Sequence, residues 1–172
     1  MTFVFRKIDH KSWWRPDRDT SENWLPKDEL RADALQDLKT ENNALSVYLL
    51  SDDESALDRV IAACAGTRNC VNEVDYVLVD SNVIGDLDFT VRDVLGRTPD
   101  DEVNKWHRDL CELSATKLLT LALTINKYSA VNRRQQKEVG RLLNSAVKSG
   151  FIDPQRLDPQ VRQRLNEPRF AV

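Results

Sequence analysis

Glycine is scarce in this chain: five residues in 172. A phosphate cradle of backbone N–H groups uses several glycines close together, and neither a P-loop nor a dinucleotide fingerprint occurs. Cysteine is scarce too. Three cysteines, odd in number and irregularly spaced, outline no disulfide framework. Cys64 and Cys111 sit in helical patterns as small core residues. No C-x-x-C pair marks a zinc knuckle, so the four-residue spacing of His107 and Cys111, even with Cys64 and Cys70, is a weak metal signal. No apolar run reaches the roughly 18 residues of a membrane span; the best, residues 113–125, carries Lys117. At the amino terminus the basic pair Arg6-Lys7 follows the apolar residues, the reverse of a secretory signal. No G-x-S-x-G elbow joins a nucleophile to a base. These absences set the expectation of a cytoplasmic chain with no cofactor, no membrane contact and no enzymatic signature.

What is present is an ordinary globular composition, 41% hydrophobic and 31% charged, which excludes intrinsic disorder. The length predicts one domain over 1–172, with a mixed lobe at 1–97 and a helical lobe at 98–172. Residues 2–8 read as a strand, and the basic end suggests an edge. A helix is predicted over 28–39, with Leu30, Ala34, Leu35 and Leu38 inward. Residues 44–50 are the clearest strand. Ser51 and Glu54 then form a capping box for a helix whose stripe is Leu57, Val60, Ile61 and Cys64, ended by Gly66. Residues 74–80 are a second strong strand. Strand, helix and strand over this distance predict a parallel βαβ unit with a right-handed crossover. A short strand is expected near 89–92.

Residues 99–128 predict a long helix shared by both lobes. Thr98 caps, Pro99 takes the first turn, and Val103, Trp106, Leu110, Leu118, Leu121, Ile125 and Tyr128 recur near the helical period. Its second half is apolar on almost every face, so the sheet is expected on one flank and later helices on the other. Thr116, Thr120 and Thr124 make a packing stripe able to bond back to carbonyls. Asn132 to Gln135 reads as another capping box, opening a helix with Val139, Leu142, Leu143, Ala146 and Val147 inward, stopped at Gly150. Asp153-Pro154 and Asp158-Pro159 each predict a short helix, and residues 166–172 a loosely held end.

The fold class that follows is α/β or α+β: a small three- to four-stranded sheet with a βαβ unit, packed against a C-terminal helical layer. The alternative is a mostly helical domain with a two-stranded element.

Three sets of residues are candidates for function. Residues 9–23 form a long irregular stretch, and three of the four tryptophans lie within 13–24. Trp13, Trp14, Arg15, Arg18 and Trp24 combine the residue types that dominate protein interfaces. The opposing expectation is that these indoles lid the core. Arg133, Arg134, Lys137 and Arg141 form a basic helix face, a candidate phosphate contact or simply a solvated surface. Asp52, Asp53 and Asp80 fall at the carboxyl ends of the two strong strands, where Mg²⁺ sites occur and where helix caps occur more often. The leading expectation is a non-catalytic protein–protein interaction or regulatory subunit of adaptor, immunity or antitoxin type, with a protein partner. The alternatives are a nucleic-acid-associated accessory protein and a Mg²⁺-dependent phosphoester enzyme.

Overall fold

The computed structural model describes residues 2–9, 13 and 29–170. Its sheet is built round the strand expected at an edge. β1 (Thr2–Ile8) pairs antiparallel with β2 (Leu45–Ser51) on one side and β3 (Val74–Asp80) on the other, with Phe3 opposite both Leu50 and Asp80. β1 is central because it is apolar on both faces: Phe5 is buried on one, Val4 and Ile8 on the other. Arg6 does not guard an edge. Its guanidinium donates to the Ser46 carbonyl at 2.8 Å and the Asp37 carbonyl at 2.7 Å.

Three short strands extend the sheet: β4 (Thr90–Asp93), β5 (His107–Cys111) and β6 (Val131–Arg134). Among the described residues the order is β4-β5-β2-β1-β3-β6, six strands rather than three or four, and every neighbouring pair is antiparallel. β2 and β3 do run the same way, joined by α1 (Glu54–Gly66), but β1 lies between them. The expected parallel pair is therefore a split βαβ unit. The mixed α/β class holds, and six strands replace the mostly helical alternative.

The long helix over 99–128 is the main correction. It is α3 (Asp101–Trp106), then β5, then α4 (Ala115–Tyr128). Leu110 fits the helical spacing, yet it is buried as a strand residue opposite Leu45 and Val91. Backbone pairing to two strands outweighs a local helical preference of a few tenths of a kcal/mol per residue. Asp100, not Thr98, caps α3, accepting from the Glu102 and Val103 amides at 2.9 and 3.2 Å. Glu112 turns the chain with φ +59, and the Ser114 hydroxyl caps α4.

Two cores follow, one on each face. On the first face α1, α3, α5 (Gln136–Lys148) and α6 (Pro159–Leu165) pack around Phe5, Ile61, Val71, Leu143 and Phe170. On the second, α4 and the 3-10 segment Ala32–Leu38, shorter than the helix expected over 28–39, cover Val4, Val47, Val79 and Leu110. The short α2 (Ser81–Gly85) adds Ile84 to this second core. The sheet thus separates α4 from the C-terminal helices, and the expected wrapping of α4 on both flanks does not occur.

Asp53 rather than Ser51 caps α1. The expected capping box at Asn132 is strand β6, and Gln135 begins α5 without a side-chain cap. After α5, Gly150 at φ +74 gives the Schellman pattern: Phe151 N–H donates to the Ala146 carbonyl and Gly150 N–H to that of Val147. Asp153 and Asp158 each cap a turn beginning with proline. The last described residues are anchored through Phe170, which is fully buried against α5.

Candidate functional site

Trp13 is 4% exposed, and its indole N–H donates to Asp37 Oδ2 at 2.8 Å. The same oxygen accepts from the Asp9 amide at 2.8 Å. Burial pushes the Asp37 carboxyl up, while these two bonds pull it down. Trp13 thus belongs to the second core and offers no free surface to a partner. Trp14, Arg15, Arg18 and Trp24 lie outside the described residues.

The predicted basic face divides. Arg133 and Arg134 are on β6, not on a helix. Arg133 makes a bidentate pair with Asp75 at 2.6 and 2.9 Å. Arg134 reaches Glu138 at 2.6 Å and Asp58 at 3.3 Å. Both cations are committed within the chain, and Lys137 and Arg141 remain exposed on α5. The three acids share one end of the sheet, but Asp53 spends both oxygens on Ser55 and Asp80 one on the Asn82 amide, as helix caps. Bonds from the Ser55 hydroxyl and amide hold the Asp53 carboxyl below its usual range. Asp52 is exposed beside them. Among the described residues no group of three or more His, Cys, Asp or Glu side chains is placed to hold a metal ion.

Two openings stand out instead. The first is a polar cleft of ≈ 860 Å³ on the first face, where α1 and α5 leave β5 uncovered. Strand alternation turns His107, Asp109 and Cys111 into it, opposite Tyr48, Ser46 and Thr90. Ser46 Oγ donates to Asp109 Oδ1 at 3.1 Å, and His107 Nε2 lies 3.7 Å from the same oxygen. His107 Nδ1 is 2.9 Å from the Val94 carbonyl, which only accepts, so Nδ1 carries the proton. The carboxylate, not the imidazole, sits between the hydroxyl and the ring. A nucleophile–base–orienter relay has the imidazole in the middle, so this network fixes side chains rather than activating Ser46.

The second opening is a groove of ≈ 830 Å³ on the outer side of α4, with Leu123, Thr124 and Tyr128 on one wall and Val83 and Leu87 on the other. α4 buries Leu121, Ala122 and Ile125 and leaves Leu119 46%, Leu123 36% and Tyr128 57% exposed. Of the threonine stripe, Thr120 and Thr124 line this groove; Thr120 Oγ1 donates to the Thr116 carbonyl at 3.0 Å. Within α4 there are two lysines, Lys117 and Lys127, and no acid.

No protein-family model, curated protein or solved structure matches the chain. The all-round apolar character of residues 118–125, which by itself predicts burial on several flanks, is the sequence signal for this groove. The polar cleft had none, because residues 107–111 lack the apolar alternation of a half-buried strand.

Proposed function

We propose that this chain is a non-catalytic docking protein that seats an amphipathic helix of a protein partner along the outer side of α4. The observation carrying this reading is the exposure of Leu123 and Tyr128 beside Val83 and Leu87, with Leu119 also exposed one turn earlier on the same helix. A surface helix ordinarily presents charge outward. This one presents leucines four residues apart, the spacing that an i, i+4 ridge on a facing helix fills. Fully covering each leucine contributes roughly 1.5–3 kcal/mol before association costs are subtracted. The groove carries both signs of charge, Lys127 on α4 and Asp86 on the facing wall, so its apolar side chains rather than one sign of charge define the partner ridge. A second copy of α4 would set lysine against lysine.

A photo-crosslinking amino acid at position 123, with a control at exposed Gln163 on α6, tests the reading in extracts of the source cells. The expected result is a single protein adduct at 123, absent at 163, cross-linked through an amphipathic helix. No adduct at 123, or the same adducts at both positions, contradicts it.

A further inference from the structure

The geometry points to a small-ligand site independent of α4: a basic hollow at the C-terminal end of α1 that binds the phosphate group of a phosphate monoester, with the ligand's uncharged, hydroxyl-bearing body in the adjoining polar cleft. The hollow, of ≈ 540 Å³, is of small-molecule size. Arg68, Arg97 and Arg156 line it against a single acid, Asp158. One oxygen of that acid accepts from the Gln160 amide as the cap of α6. The carbonyls that end α1 are engaged as well: Cys64 by the Thr67 hydroxyl at 2.8 Å and Ala65 by the Arg68 amide at 3.2 Å. The lining is therefore net positive and rich in donors. Its floor is preformed. A Cβ on Gly66 would lie 2.7 Å from Pro99 Cγ and 3.0 Å from Leu157 Cδ2, so α1 ends in tight contact with both. A fixed floor lowers the ordering cost of binding.

The three guanidinium groups are unequally committed. Arg156 is held in place, donating to Asp101 at 2.7 Å and to the Thr98 carbonyl at 2.9 Å. Arg68 has one bond, to the Glu73 carbonyl at 3.3 Å, and no carboxylate. The Arg97 side chain makes no hydrogen bond or ion pair among the described residues. Lys7 adds to the positive field: burial, and then repulsion from Arg68, pushes its amine down. A phosphate monoester brings about −1.5 to −2 charge at pH 7 and three free oxygens, enough to meet several guanidinium forks at once, where a carboxylate offers one charge and two oxygens. The cleft decides the rest of the ligand. Thr67, Arg97 and Thr98 line both openings, so the two form one continuous recess. Beyond them stand Glu41, Asn42, Asn43, Ser46 and Asp109. Such amides and carboxylates take up hydroxyl groups and repel a second anionic group. The ligand is therefore charged at one end only. A nucleic-acid strand, charged at every nucleotide, needs a basic track rather than one basic end.

The test is isothermal titration of the full chain with glucose 6-phosphate and adenosine monophosphate, each beside its unphosphorylated parent, and with inorganic phosphate. The expected result is saturable binding of at least one ester, with its parent and inorganic phosphate each weaker by about tenfold or more. The ester that binds identifies the body as a hexose or a nucleoside. Arg68→Ala with Arg97→Ala should weaken that ester by about tenfold or more. Neither side chain has a carboxylate partner, so the variant should keep its Tm. Arg97→Glu alone, at an exposed position, should weaken binding in the same direction without removing any bond. Arg164→Ala, exposed on α6 and outside the hollow, should leave affinity unchanged. No binding of either ester, inorganic phosphate binding as tightly as the ester, or unchanged affinity in the Arg97→Glu variant overturns the inference.

Discussion

Residue 140 shows packing overruling propensity. A Cβ there would lie 2.1 and 2.3 Å from two ring carbons of Phe170. Alanine is favoured over glycine within a helix by about 1 kcal/mol. Phe170 is fully buried and cannot retreat. Gly140→Ala should therefore lower stability by about 1–3 kcal/mol in urea unfolding, and Phe170→Ala by about 3–5 kcal/mol. Neither was legible in the sequence: a glycine in a helical stripe names no partner, and residue 170 sat in a stretch expected to be loose. Cys64 gives a residue-scale dependence on pH. Burial pushes its thiol up to about 11 from an ordinary 9.0. Between those values the unfolded chain loses this proton while the folded chain keeps it, so stability falls as pH rises through that window. In Cys64→Ala this part of the alkaline loss, followed by thermal unfolding from pH 8 to 11, should disappear.

At the scale of elements, legibility tracked locality. β3 appears at its expected bounds, β2 and α1 close to theirs, and the stop at Gly150 as expected, because each is specified by residues within a turn or two. β1 was placed at an edge because its centrality depends on strands more than forty residues away. β5 and β6 were absent from the prediction because His107–Cys111 and Val131–Arg134 are mostly polar and become strands only by pairing. The join between α1 and α3 was equally hidden. Arg59 grips the fully buried Asp100 at 2.6 and 2.9 Å and stacks on the Phe151 ring at 4.0 Å. Asp100 also caps α3, so Asp100→Ala removes a cap and strands a guanidinium. The expected cost is about 3 kcal/mol or more, measured by chemical denaturation. Exposed pairs such as Arg92–Glu112 should register under about 1 kcal/mol.

At the scale of the whole molecule, the sheet is a partition. Once β5 breaks the long helix, α4 falls on one face and the C-terminal helices on the other, and no described element covers its outer side. That leaves the α4 groove exposed. The outward leucines contribute little to the fold: Leu119→Ala with Leu123→Ala should change unfolding free energy by no more than about 1 kcal/mol, the scale of surface substitutions. The most direct measurement is isothermal titration of the cross-linked partner, purified, against the wild-type chain and this double variant. Docking along α4 predicts a loss of about 2 kcal/mol or more in binding, roughly 30-fold in Kd, at near-constant Tm. Equal affinity for the two proteins would contradict it.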